Sequence, residues 1–163
     1  MLPRYIGSVF DFFFPSPSDG RSGSLRRVIL DLENRKRDAS LQELFALEAH
    51  SRWRSAWRGL GTIGYEIVTH FRPKKIVELG SQRGFSTFAM GLALRDLKLG
   101  GQIYAVDTWR GDKHTGLYGE DVYENFLAGR HALGLDETVC PMRMTFAEAS
   151  TKITPPIASE RNA

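Results

Sequence analysis

The sequence predicts an α/β fold: a parallel sheet of three strands with helices between them, preceded by a helical N-terminal region. Three observations predict it. Lys75–Leu79 and Ile103–Val106 are short apolar runs rich in β-branched residues, and Thr138–Met144 is a weaker run of the same kind. Segments with apolar residues at helical spacing lie between the runs, so the order is strand, helix, strand, helix, strand. The first two runs are continuous rather than alternating, as strands buried on both faces are. Their crossovers are expected to be right-handed.

The elements follow in chain order. Residues 1–23 combine an aromatic segment (Val9, Phe10, Phe12, Phe13, Phe14) with the linker Pro15–Ser24, "PSPSDGRSGS". The Pro, Gly and Ser of that linker resist regular structure. Residues 24–72 form a helical preface. Ser24 is placed to cap a first helix, in which Leu25, Val28, Ile29 and Leu32 share a face. Ser40-x-x-Glu43 is a capping-box pattern and predicts the start of a second helix. That helix is expected to run through Trp53 and Trp57, with Gly59 and Gly61 as stop signals. Thr62–Phe71 reads as a third helix, ended by Arg72-Pro73 because the residue before proline is pushed out of the helical region.

Residues 73–150 hold the α/β part. Phe85–Leu97 reads as the helix after the first strand, and a polar loop at 108–117 follows the second. A helix at about 119–133 is closed by Gly134. Pro141 places the third strand at a sheet edge. Thr145-x-x-Glu148 is a second capping pattern. Residues 151–163 read as an irregular tail, since Pro155-Pro156 blocks regular structure.

Composition excludes several classes. Hydrophobic residues make up 42% and charged residues 25% of 163, a globular balance. The net charge is +3, and the basic excess is N-terminal: residues 1–75 carry 13 Lys/Arg against 8 Asp/Glu. It is spread along helical segments and reads as a solvated face rather than a nucleic-acid surface. No run approaches the roughly 18 apolar residues of a membrane span, so no transmembrane segment is expected. Asp11 interrupts the N-terminal aromatic run, which argues against a signal peptide. One cysteine, Cys140, cannot form an internal disulfide and fits a reducing cytoplasm.

The chemistry concentrates in "KIVELGSQRGFST", residues 75–87. Two glycines four apart follow a strand and open a helix. Gly80 permits a tight turn, and Gly84 permits close approach of a ligand or of the next helix. The helix N-terminus adds free N–H groups and a partial positive charge. Glu78 would repel phosphate but attract an ammonium group or a hydroxyl. Asp107 ends the second strand, where such folds hydrogen-bond ribose hydroxyls. The ligand implied carries an amine and a ribose and needs no pyrophosphate grip. S-adenosylmethionine fits this better than a nicotinamide dinucleotide, which would want a third glycine.

"VELGSQRGFST" with "IYAVDTWRGDKHTGLYGEDVYENF" resembles the class I S-adenosylmethionine-dependent methyltransferases over roughly residues 60–150. It is similar to the subgroup with an E-x-G-x-x-x-G-x-S and a V-D-T-W-x-G-D-x-H motif. The resemblance implies a Rossmann-like sheet in which Glu78, Gly80, Ser81, Gly84 and Ser86 surround the methionine part of the cofactor. It implies that Asp107 takes the ribose hydroxyls and that Thr108 and Trp109 lie near the adenine. By analogy with the subgroup, the acceptor is a small molecule with a sugar-like hydroxyl. The family's sheet has seven strands with the first at its centre, whereas no fourth strand follows here. The sequence therefore reads as the N-terminal half of a methyltransferase, truncated and weak or inactive alone. Its first strand would be an unpaired apolar edge able to self-associate.

Other residues read more plainly. His114 is a weak candidate for a general base and reads better as a residue ordering the loop, since no second metal-type ligand has suitable spacing. No metal site is expected. Tyr118 and Tyr123 could reach the cofactor mouth but read as helix packing. Trp53 and Trp57 read as packing between preface and sheet, and Asp112, Glu120 and Asp121 as a solvated face. Two alternatives stand beside the methyltransferase reading: a non-catalytic α/β interaction module, and a fragment of a nicotinamide-dependent oxidoreductase.

Overall fold

The computed structural model describes residues 22–49, 55, 57–113 and 116–153. The aromatic segment, residues 15–21 of the linker, His50, Trp53, His114 and Pro155-Pro156 lie outside these residues, whereas Ser22, Gly23 and Ser24, expected in the linker and at a helix cap, lie within the first helix. The chain divides into two units, Met1–Arg35 and Lys36–Ala163. In the first, the described residues are helical, and Val28, Ile29 and Leu32 are exposed, so the apolar face expected there is not buried. The second unit holds the sheet.

The described elements are α1 (Ser22–Ala49), a 3-10 turn at Arg58–Leu60, α2 (Gly61–Phe71), β1 (Lys75–Leu79), α3 (Phe85–Asp96), β2 (Gln102–Asp107), β3 (Gly111–Asp112), β4 (Gly116–Leu117), α4 (Asp121–Ala132), β5 (Val139–Arg143) and α5 (Phe146–Ile153). The main sheet has the order β1-β2-β5 and is parallel throughout. In register, Val77 faces Tyr104 and Tyr104 faces Cys140. Pro141 sits on β5, an edge strand, where a missing N–H costs nothing on the outer side.

α3 forms the middle of the helical layer. Phe88, Ala89, Leu92 and Ala93 are all essentially buried. α2 packs on one side of it, with Gly64 against Ala89, and α4 on the other, with Gly129 against the Phe88 ring. Beneath lie Ile103 and Ala105 of β2 and Val139 of β5, fully buried. This aromatic and aliphatic wedge fixes where β1 and β2 end, and hence where their loops meet.

Several expectations are corrected. The preface is not two helices: α1 runs unbroken through Ser40, because nothing between residues 33 and 43 breaks a helix. Ser40 is not a cap. Its hydroxyl instead donates to the Asp96 carboxylate at 2.5 Å, and it is buried. α1 is described as far as Ala49, Ser55 and Trp57 are not helical, and Gly61 opens α2 instead of stopping a helix. Trp57 is half exposed and does not pack in the core. β1 is not buried on both faces: Val77 is 45% and Leu79 58% exposed. It pairs with β2 alone among the described residues, so its outer side lacks the cover that β2 has.

Asp96 anchors the preface to the sheet's helices. Its carboxylate accepts from Ser40 and, at 3.1 Å, from the Tyr65 hydroxyl, and it pairs with Arg95 at 2.9 Å. Arg95 also donates to Ser40 Oγ and to the Leu133 carbonyl. A buried carboxylate is tolerable only when so satisfied. Burial, with Asp96 beside it, pushes the Tyr65 hydroxyl well above its ordinary range, so the neutral phenol is the form the fold favours. Stability from this source is present below about pH 10 and is lost as pH rises toward the folded-state value. We therefore predict that Asp96→Ala lowers stability by about 3 kcal/mol in urea denaturation, through the orphaned Arg95, Ser40 and Tyr65 groups. The wild type should weaken above about pH 10 more steeply than Tyr65→Phe; parallel pH profiles would remove the role given to Tyr65.

Candidate functional site

The C-terminal ends of β1, β2 and β5 open onto a cleft of about 360 Å³. Gly80 lines it from the end of β1, Asp107 and Thr108 from the end of β2, and Thr145 and Phe146 from the start of α5. Gln82, Gly111, Asp112 and Tyr118 complete the wall. The polar loop expected after β2 contains a small antiparallel hairpin, β3-β4, which supplies Gly111 and Asp112.

The two glycines of the post-β1 turn do different work. Both have left-handed backbones, with φ of 87° at Gly80 and 85° at Gly84. A Cβ at Gly80 would meet only Phe146, at 3.8 Å, because that side faces the cleft. A Cβ at Gly84 would lie 2.5 Å from the Phe88 ring and 2.8 Å from Phe126. Gly84 thus serves close packing of α3 and α4.

Glu78 is turned into the loop. Its carboxylate accepts hydrogen bonds from the hydroxyls of Ser81 (3.0 Å), Ser86 and Thr87. Ser81 and Thr87 are buried. Glu78, Ser81, Gly84 and Ser86 therefore shape the turn and do not line the cleft. The attraction of Glu78 for hydroxyls, read from its chemistry, is met by the chain itself.

Asp107 does line the cleft. One oxygen accepts the Gln82 N–H at 2.8 Å and the other the Trp109 N–H at 2.8 Å. Each carboxylate oxygen has a further lone pair, so the group is oriented but not exhausted. Trp109 is buried, 1% exposed, and its ring stacks obliquely on Tyr123 and Phe126, with centroids 4.8 and 4.9 Å away. It is not among the residues that line the cleft. Tyr118 and Tyr123 both pack against the core as expected, and Tyr118 in addition lines the cleft, where its hydroxyl accepts from Gln82 Nε2 at 2.7 Å.

Gln82 carried no signal in the sequence. A hydrophilic residue between two glycines reads as a generic turn residue, and its partners lie 25 to 36 residues away. Asp112, expected on a solvated face, lines the cleft. Glu120 is bound by Arg143, whose guanidinium also lies over the Tyr123 ring at 4.6 Å; that hydrogen bonding holds the Glu120 carboxyl below its usual range. The Thr145–Glu148 capping box forms in full: Thr145 N–H donates to Glu148 at 2.8 Å and Glu148 N–H to Thr145 Oγ1 at 3.2 Å. Among the described residues, no group of three or more His, Cys, Asp or Glu is disposed to hold a metal ion. Nor is any helix among them long and apolar enough to cross a membrane.

A family model described as a methyltransferase domain matches residues 77–159, half of the chain, and the chain belongs to that family. Its parallel sheet with crossing helices is the Rossmann-like class I form of the fold. Among curated proteins, an uncharacterised protein designated y4gI from Sinorhizobium fredii (strain NBRC 101917 / NGR234) is 40% identical over 95 residues. Those residues are 58% of this chain and 10% of that protein, so the chain spans about a tenth of that relative's length. Among solved structures, a Klebsiella pneumoniae protein assigned as an O-methyltransferase aligns with a TM-score of 0.46 and 15% identity. The alignment covers 90% of this chain and 52% of that one.

The different roles of the glycines are testable. Gly84→Ala combines left-handed strain with overlap on two rings and is expected to cost about 3 kcal/mol. Gly80→Ala carries the strain alone and should cost about 1 kcal/mol. Thermal denaturation of both variants checks the order; equal losses would contradict the packing assignment.

Proposed function

We propose that the cleft binds S-adenosylmethionine and that the domain serves methyl transfer to an oxygen of a small-molecule acceptor, with a sugar-like hydroxyl as the acceptor class. The observation that carries this is Asp107: a strand-end carboxylate beside the cleft, each oxygen steadied by one backbone N–H and each with a lone pair left over. That arrangement suits a pair of neighbouring hydroxyls, as on a ribose. The open side of Gly80 leaves backbone within reach of the rest of the cofactor. When bound, S-adenosylmethionine would supply an electrophilic methyl group on a sulfonium.

In this reading Asp107 holds the ribose, and Thr108 and Phe146 bound the space for the adenine. Gly80 offers backbone to the methionine part. Glu78, Ser81, Ser86 and Gly84 support that contact by fixing the turn rather than by touching the ligand. Trp109 acts from behind the wall. The domain's contribution is then to hold and orient, which is where proximity gains arise. A cytoplasmic setting is part of the same proposal.

Calorimetry with S-adenosylhomocysteine tests the assignment. The chain is expected to bind it, and Asp107→Ala should weaken binding by tenfold or more, on the order of one charge-assisted hydrogen bond. Unchanged affinity in the variant would sink the ribose role, and absence of binding by the wild type would sink the cofactor.

A second proposal concerns β1. Its exposed Val77 and Leu79, and its single paired side among the described residues, support association between copies through this edge. Light scattering after gel filtration should show mass rising with concentration, and Val77→Lys should reduce it. A monomer at every concentration would count against the proposal.

A further inference from the structure

Four non-glycine residues among those described have left-handed backbones: Arg72, Gln82, Lys98 and Trp109. Two of them, Gln82 (φ 46°) and Trp109 (φ 53°), lie on one hydrogen-bond circuit at the cleft. Such a conformation costs about 1–2 kcal/mol per residue and persists where the surroundings enforce it.

The circuit closes on itself. Asp107 Oδ2 accepts the Gln82 N–H, and Asp107 Oδ1 accepts the Trp109 N–H. The Trp109 indole Nε1–H donates to the Gln82 carbonyl at 2.5 Å. Both backbone polar groups of Gln82, its N–H and its C=O, are thus engaged from the β2 side. The indole cannot yield easily, because its ring is buried against Phe126 and Tyr123 of α4. The Gln82 side chain adds a third tie, to the Tyr118 hydroxyl, and Tyr118 N–H donates to the Arg110 carbonyl at 3.0 Å. One residue of the post-β1 turn is therefore held at three points by the segment that follows β2.

We propose that Trp109 is a positioning residue: through the Gln82 peptide its indole N–H sets the orientation of the Asp107 carboxylate, and so how the cleft grips a vicinal diol. This rests on the ribose role given to Asp107 above. A tryptophan is suited to the task because it joins a large apolar body, which fixes it in the core, to one donor that reaches the turn. If the indole N–H is removed, the Gln82 carbonyl loses its partner and the Gln82 backbone is free to leave its left-handed conformation, turning its N–H with it. The N–H then leaves Oδ2, and the carboxylate loses one of its two fixed supports. A ligand that uses both oxygens would lose affinity, while one without the diol would not.

Trp109→Phe retains a buried aromatic ring and removes the donor. The full chain and this variant would be titrated with S-adenosylhomocysteine and with its 2′,3′-dideoxy analogue. The expected result is a loss of about tenfold for the first ligand in the variant, with the second unchanged within about twofold. Equal loss for both ligands would mean that Trp109 only stabilises the fold, and no loss for either would mean that it sets nothing; each overturns the proposal. Amide and indole hydrogen exchange of the wild type gives a second reading independent of the variant's folding. The Gln82 amide and the Trp109 indole N–H should be protected together and open together; free exchange of either overturns the brace. Should the wild type bind neither ligand, the cofactor assignment fails by itself, and the exchange result still decides whether the brace exists.

Discussion

The hydrogen bonds of the Asp107 carboxylate to Gln82 and Trp109 are the constraint on which the site depends. A parallel strand pair leaves its two C-terminal loops side by side, with unsatisfied N–H groups in both. One acidic residue at the tip of the middle strand satisfies a donor from each. The loops after β1 and β2 are thereby joined at the point where a ligand would enter, and the same group faces the cleft. Structure and candidate function meet in one side chain because the fold offers few other anions there. Glu78 is already committed to three hydroxyls, one of the turn after β1 and two of the first turn of α3.

The helical layer makes that constraint effective. α3 is buried on nearly every side, and Phe88 and Phe126 fill the space that Gly84 leaves. Trp109 reaches into the same aromatic cluster from the β2 loop. The loop is therefore held from below by ring packing and from the side by the Gln82 carbonyl. At the other end of α3, Asp96 ties in α1 and α2 through Ser40 and Tyr65. The helix that begins at the cleft thus ends at the polar anchor of the preface.

Much of this was legible in the sequence wherever a residue's role follows from its own backbone or its place on a strand. β1 is where the β-branched run placed it, and β2 and β5 are within a residue or so of theirs. Gly80 and Asp107 stand at strand ends and Gly84 at the start of α3, as the spacing indicated. Thr145 and Glu148 cap a helix because both partners of that motif are three residues apart. Ser40 and Glu43 have the same spacing and cap nothing. Locally the two patterns are indistinguishable, and the outcome was decided by Asp96, 56 residues away. Gln82 was unreadable because two of its three ties are made by its backbone N–H and C=O, which side-chain identity does not signal, and the third reaches Tyr118, 36 residues away. The place near the adenine that the motif's resemblance implied for Trp109 says nothing of its packing, which is set by Tyr123 and Phe126 of α4. The exposure of β1 is likewise a property of its neighbours and not of its own apolar sequence.

The measurement that bears most directly on the site is an amide and indole chemical-shift titration of the full chain with S-adenosylhomocysteine. The expected result is saturable shifts at the backbone amides of Gln82, Thr108 and Trp109 and at the Trp109 indole, with Gly80 following. These groups either surround the Asp107 carboxylate or border the cleft beside it. Saturable shifts confined to other surfaces, or none at ligand concentrations well above the protein's, would contradict the assignment of the cleft.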